Sequence, residues 1–309
     1  MIGRVKYLVL SSVLLMLISA VNADEYLHDY GLIELSEKPE RIAALNWTQA
    51  EFLLSLGITP AGLTTIKGYR YWQSNNPPIP DGVIELGHRA EPSMEELWSL
   101  KPDLILGYNW RHGRLYERLE KIAPTALYKQ YPDADDSGNY LQRMRDNYLR
   151  VAELLNRTEM AEQQLLELDV VLAESRRRIE LAGLSGSKVM VGKFVGMGLG
   201  LRTFGEGSLA GAIISELGLD NAWVKTLPGR DFSHIDLMQL PFVGSASFLL
   251  VGDIKGEART MTTSAVWQQM PAVQENRVYR TPQLWGYGGP LSARRMVEEF
   301  VNQLIGEAG

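Results

Sequence analysis

Cysteine is absent from all 309 residues. That excludes disulfides, a thiol nucleophile, thiolate metal ligands and the acylated cysteine of a lipoprotein, so core packing alone must hold the fold together. A cationic excess is missing too. The 31 Lys and Arg residues face 37 Asp and Glu, a net charge of -6, which argues against a nucleic-acid partner. Four histidines occur, at 28, 88, 112 and 234, and none stands at i, i+4 spacing to another. There is no His-Glu-x-x-His, Asp-rich calcium loop, Gly-x-Ser-x-Gly elbow or phosphate-cradling glycine loop, and the runs GMGLG and GEGSL have the wrong spacing. Direct metal binding and nucleophilic catalysis find little support. After residue 23 no stretch is apolar enough to span a bilayer.

What is present begins with an export signal. Arg4 and Lys6 form a basic start, Leu8 to Val21 an apolar run, and Val21-Asn22-Ala23 a small-residue cleavage site before Asp24-Glu25. The expectation is a signal peptide over 1-23, then a mature protein free in the periplasm with no lipid anchor.

From Arg41 short apolar strands alternate with amphipathic helices. RIAAL, ITPAGLTT, DGVIELG and DLILGY read as strands; WTQAEFLLSLG reads as a helix capped by Thr48, and Ser93 with Glu96 forms a capping box. Such alternation implies a mainly parallel α/β layer. Residues 158 to 183 differ: Ala161, Leu165, Leu168, Val171, Leu172 and Ile179 make one apolar stripe on an unbroken helix, longer than a lobe needs for its own packing. A second alternation follows, with strands KVMVGKFVG, ASFLLVG and RVYRT, helices SLAGAIISELG and LSARRMVEEFVNQLIG, and a short helix at SHIDLMQL. The expected division is an N-terminal α/β lobe over 24-157, a spine helix over 158-184 and a C-terminal α/β lobe over 185-309.

Aromatic residues carry the functional signal. Trp47, Tyr69, Trp72, Tyr108, Trp110, Trp223, Trp285 and Tyr287 fall mostly at strand ends or in the following loops, where open α/β sheets place ligand crevices. Trp98 and Trp267, at helical spacing, read as core.

The segments RIAALNWTQAEFLLSLGITPAGL, GYRYW, ELGHRAEPSMEELWSLKPDLIL, KIAP, NAWV, VWQQMPAV and LWGYGGPLSA, in this order, resemble the periplasmic siderophore-binding proteins of ABC iron importers, the helical-spine (class III) solute-binding proteins. The likeness is greatest to the ferric hydroxamate, or ferrichrome-type, branch. It implies two Rossmann-like α/β lobes joined by a single long helix, with a largely preformed cleft between them for one iron-loaded chelate. The iron stays inside its chelate, so no side chain ligates it and no cofactor is needed. A monomer is expected, with an ABC permease in the inner membrane as its partner.

The resemblance assigns roles residue by residue. Arg89 donates to the oxygens around the ferric ion, a task suited to a planar, always charged fork; pairing with Glu85 or Glu91 is the competing reading. Trp47, Trp72, Trp223, Trp285 and Tyr287 match aromatic pocket positions, with Tyr69 beside them, and the Tyr287 hydroxyl is expected to donate to a hydroxamate oxygen. In GYNWRHGRLYERL the family's tyrosine position falls on Trp110, Arg111 or His112. In VKTLPGRDFSH a tryptophan of close relatives is replaced by Leu227, Pro228 and Arg230. Cations at Arg111, His112, Arg114 and Arg230 would suit a chelate with some negative charge, such as a mixed citrate-hydroxamate or carboxylate type, or form a solvated basic loop. Glu117 and Asp236 match the acids that relatives present to permease arginines. Two alternatives stand: the same fold carrying a catecholate complex, haem or a corrinoid, and an exported hydrolase or reductase acting on the chelate.

Overall fold

The computed structural model describes residues 24–131, 138–195, 200–225, 230–254 and 256–306. The expected signal segment, most of GMGLG, and Leu227 and Pro228 lie outside them.

Each strand-helix alternation closes into its own sheet. Ile42–Ala44, Gly62–Leu63, Ile84–Glu85, Leu104–Tyr108 and Thr125–Tyr128 form a five-stranded parallel sheet, with Ile42–Ala44 at its centre between Gly62–Leu63 and Leu104–Tyr108. In the second sheet Lys188–Phe194 pairs in parallel with Ser247–Val251, which pairs in parallel with Val278–Thr281. On its other side the ladder turns antiparallel, through Leu201–Phe204 to Phe232–Ile235. That last strand corrects the helix expected at SHIDLMQL. Cross-strand pairing with Leu201–Phe204 supplies hydrogen bonds that one isolated helical turn cannot match, because helix nucleation is costly.

Ser93 and Ser208 cap their helices, accepting from the backbone N–H of Glu96 at 3.2 Å and Gly211 at 2.9 Å. The first helix, Trp47–Ser55, is capped by Asn46 instead of Thr48: Asn46 Oδ1 accepts from Gln49 N–H at 3.0 Å. Thr48 is thereby released to donate its hydroxyl proton to the Tyr287 carbonyl in the other lobe.

Period-two alternation sorts the strand residues into cores. Ile42, Ala44, Leu104 and Leu106 share one continuous core with Val189, Val191, Leu249 and Val251 of the second sheet. Their alternates separate: Ala43, Leu45 and Ile105 pack under the outer helices of the first lobe, Met190, Phe248 and Leu250 under those of the second. Among the helices that contribute to this core are the two longest. Thr158–Leu181, about 36 Å long at 1.5 Å per residue, buries Ala161, Leu165, Leu168, Leu172 and Ile179, with Val171 partly covered. Pro290–Ile305 buries Met296, Val297, Phe300 and Val301 in the same core. Trp267 is buried as expected, whereas Trp98 is 57% exposed. Its helix, Met94–Leu100, buries only Leu97 and Leu100, and the residue after Leu97 points away from that face.

The lobes are also joined by a buried carboxylate. Glu51, on the first helix and fully buried, accepts from the Ser292 backbone N–H at 2.8 Å and from Gln73 Nε2 at 2.8 Å, and lies 2.6 Å from Ser292 Oγ. It caps the start of the C-terminal helix across the lobe boundary, where an anion also meets the positive end of the helix dipole. Arg295 continues the seam, donating to the carbonyls of Gln73 at 3.0 Å and Gln283 at 2.9 Å. Glu51→Ala should lower stability by about 3 kcal/mol, since it strips a charged acceptor from buried donors. Urea unfolding followed by circular dichroism checks this; an unchanged midpoint would remove Glu51 from the connection.

Candidate ligand-binding site

In a parallel sheet the strand ends that point the same way supply adjacent loops, and a crevice opens there. The C-terminal ends of the first sheet's strands lead to Trp47, Thr65, Arg89, Trp110 and Tyr131. From the second lobe come Lys193 at the end of its central strand, Arg202 and Phe204 on the neighbouring strand, and the segment Leu284 to Tyr287. Between the two sets of strand ends lies a hollow of about 410 Å3, walled by Trp72 and Arg89 on one side and by Lys193, Phe194, Arg202, Trp285 and Tyr287 on the other.

Arg89 is held through its backbone. Its N–H donates to Thr65 Oγ1 at 3.1 Å, and its carbonyl lies 2.9 Å from His112 Nε2. The His112 tautomer follows: Nδ1 accepts from Tyr108 N–H at 3.0 Å, so Nε2 carries the proton given to Arg89. Arg114 adds a bond to the Ala90 carbonyl at 3.3 Å. The side chain is left to face the hollow. Its Cζ stands 3.5 Å from the Trp47 ring centroid and 5.5 Å from that of Trp285, a cation set between two indoles. Burial, and then Arg111, lowers the Arg89 pKa to about 10, so the group stays charged at neutral pH. The competing carboxylates are engaged elsewhere or free of it. Glu85 accepts from the N–H groups of Thr65 at 2.6 Å and Ile66 at 2.8 Å, capping the helix Ile66–Trp72, while Glu91 is exposed. Among the described residues Arg89 Nε and Trp285 Nε1 are buried donors with no protein acceptor.

The aromatic residues form a connected row. Trp47 meets Trp285 at 4.7 Å between centroids, Trp285 meets Tyr287 at 5.5 Å, Tyr287 meets Tyr131 at 5.7 Å and Tyr131 meets Trp110 at 5.2 Å. Trp72 stands apart from this row, with Lys193 Nζ 4.0 Å from its ring centroid. The Tyr287 hydroxyl points to Asp231 Oδ1 at 3.4 Å, a long bond to a protein carboxylate where the expected acceptor was a hydroxamate oxygen. Burial raises the Asp231 pKa to about 6 and pushes Tyr287 well above the usual phenol range.

Several expected residues lie elsewhere. Tyr69 is fully buried, its hydroxyl donating to the Pro77 carbonyl at 2.8 Å; the helix that presents Trp72 to the cleft turns Tyr69 into the core. Trp223 packs in the outer core of the second lobe with Met190 and Phe248, on the sheet face away from the shared core. In the GYNWRH loop the three candidates part company. His112 is fully buried, and burial lowers its pKa to about 4, so it is a neutral brace and not a cation of the cleft. Trp110 is 48% exposed with Nε1 donating to Gln130 at 2.8 Å, and Arg111 stacks on its ring at 4.2 Å. Arg230 lines a separate hollow with Trp223 and Phe242. Sequence reasoning missed Tyr131, Lys193, Arg202 and Phe204. A signal existed for Lys193 alone: a lysine within the apolar strand KVMVGKF.

Residues 42–284 match the family model described as periplasmic binding protein. The chain belongs to the periplasmic binding protein family. Within this family it is 30% identical over 271 residues to the iron(3+)-hydroxamate-binding protein FhuD of Escherichia coli, covering 87% of this chain and 88% of that one. The Fe(3+) dicitrate-binding periplasmic protein FecB of the same organism is 25% identical over 278 residues, covering 86% and 84%. The Fe3+-Desferal-bound siderophore-binding protein FhuD of Vibrio cholerae superposes with a TM-score of 0.77 at 27% identity, over 87% of this chain and 99% of that chain. Like these periplasmic binding proteins, the chain has two lobes joined by a helix with the cleft between them. No described helix is long and apolar enough to cross a membrane, and among the described residues no three His, Asp or Glu side chains converge as metal ligands.

The His112 brace makes stability pH-dependent. Its pKa falls from 6.5 in the unfolded chain to about 4 in the folded one, so its contribution is complete above pH 6.5 and lost as pH drops towards 4. Asp231, raised to about 6, acts in the opposite sense, adding stability as pH falls through 6. His112→Gln should therefore flatten the acid loss in urea midpoints measured between about pH 7 and 4; a slope equal to the parent's would contradict a neutral buried imidazole.

Proposed function

We propose that the protein binds a ferric hydroxamate-type siderophore in the interlobe cleft, in the periplasm after removal of residues 1–23, and delivers it to an inner-membrane ABC permease. The observation that carries this reading is Arg89: a guanidinium laid on Trp47 beside Trp285, with Nε buried and without a protein acceptor among the described residues. Such a donor suits oxygens crowded around a caged ferric ion, and the indole faces suit the chelate's organic backbone. The names of the Escherichia coli and Vibrio cholerae relatives support the same cargo. The ligand-facing residues in this reading are Arg89, Trp72, Trp285 and Tyr287, with Trp47 as the floor beneath Arg89 and with Trp110 and Arg111 at the rim.

Delivery is assigned to Glu117 and Asp236, both exposed, one on each lobe. Asp236 Oδ1 accepts from Met238 N–H at 2.8 Å, so its carboxylate stands in a loop just beyond a strand. Exposed ion pairs contribute only about 0.2 to 1 kcal/mol each, so these acids would orient the docking complex more than bind it tightly.

Titration of tryptophan fluorescence with ferric hydroxamates should show saturable quenching, and Arg89→Ala should weaken it about 10- to 100-fold with the fold intact. An unchanged affinity would take Arg89 out of the site, and a flat response across hydroxamates with tight haem binding would replace the cargo. The double change Glu117→Ala, Asp236→Ala should cut iron-chelate uptake by cells at unaltered affinity; normal uptake would dismiss that surface.

A further inference from the structure

The second wall of the cleft holds two cations that the hydroxamate reading does not use. Lys193 and Arg202 are direct cross-strand partners on the antiparallel pair Lys188–Phe194 and Leu201–Phe204, so their side chains leave the same face, and both line the hollow. Like charges placed directly opposite on neighbouring strands repel, a cost that a free sheet normally avoids. Neither has an ion-pair partner among the described residues. Lys193 rests its Nζ over the Trp72 ring across the cleft, and Arg202 spends Nε on His234 Nε2 at 3.2 Å and lies over the Phe232 ring at 4.2 Å. Asp231, the acid beside these strands, is 2% exposed, accepts from Tyr287 and interacts electrostatically with Arg202, but makes no ion pair with it and is not among the residues lining the hollow. Arg89 faces the pair from the other lobe, so among the described residues the lining carries three cationic side chains and no carboxylate.

We propose that Lys193 and Arg202 form an anion-recognising pair that selects, among ferric chelates, those carrying an ionised carboxylate, such as citrate-hydroxamate complexes, over neutral ones. The inference rests on the cleft being the ferric-chelate site. An anion between the two side chains removes their mutual repulsion and replaces the solvation that the half-buried ammonium lacks, so its gain is largest for a charged ligand. Burial, and then Arg202, lowers the Lys193 pKa to about 7, so an anion placed beside it would favour its charged form. The anion contacts are thus placed on Lys193 and Arg202 instead of on Arg111, His112, Arg114 and Arg230.

Two probes test this by fluorescence titration: the uncharged ferric complex of a tris-hydroxamate, and the anionic ferric complex of a citrate-bridged dihydroxamate. The parent protein should bind the anionic complex at least about 10-fold tighter. Lys193→Gln with Arg202→Gln should weaken the anionic complex by about 30-fold and the neutral one by less than about 3-fold, the latter also reporting that the fold and the Arg89 side survive. Lys193→Arg should keep the preference. Raising salt from about 0.05 to about 0.5 M should erode anionic binding selectively. Equal affinities in the parent, or equal losses in the double variant, overturn the anion pair while leaving the ferric-chelate site standing. Failure of both complexes to bind overturns the site reading itself and this inference with it.

Discussion

Glu51 is the charge on which the arrangement of the lobes depends. A carboxylate removed from water has to find donors. Here it finds the first turn of a helix 241 residues later in the chain, through the backbone N–H and hydroxyl of Ser292, together with the Gln73 amide from its own lobe. The approach is so close that side chains are excluded before the helix. A Cβ at Gly288 would lie 2.1 Å from Ser292 Cβ and 2.7 Å from Glu51 Oε2, and one at Gly289 would lie 2.8 Å from Phe52 Cδ1. The GGP sequence is thus a contact requirement as well as a helix start, with Pro290 at the first helical position.

This connection has a consequence for the cleft. Trp285 and Tyr287 belong to the short segment between the last strand and the latched helix, so anchoring Ser292 sets where those rings stand against Trp47 and Arg89. Thr48, donating to the Tyr287 carbonyl, adds a second point of attachment. The continuous core formed by the spine and C-terminal helices works in the same direction, because separating the inner faces would expose buried apolar surface. The two walls of the cleft are thus tied to one shared core and to the Glu51 and Thr48 contacts.

The charge pattern divides labour between the walls. On the first lobe one guanidinium is pinned by its backbone and spread over indole faces, which favours short directional contacts to oxygen. On the second, Lys193 and Arg202 sit side by side on neighbouring strands, with no ion-pair partner among the described residues. His112 illustrates how a polar residue serves such a site without touching it: buried and neutral, it couples the end of the Leu104–Tyr108 strand to the Arg89 carbonyl.

Local patterning determined a good deal. Strand and helix alternation, the serine caps at 93 and 208, the apolar stripe from Ala161 to Ile179 and the family resemblance around ELGHRAEPS were all legible, because each depends on residues within a few positions of one another. The place of Arg89 in the lining of the hollow was legible through its motif. The cleft's membership was only partly so, since it depends on which strand ends meet across 100 to 240 residues of chain. Tyr69 and Trp223 looked like neighbours of Trp72 and Trp285 yet turn into cores, while Tyr131 and Arg202 carried no motif and Lys193 was marked only as a lysine in an apolar strand. His112 and Glu51 show the reason most plainly: composition marks them as polar, but whether a polar side chain meets solvent, ligand or a buried partner is settled only when distant backbone closes around it.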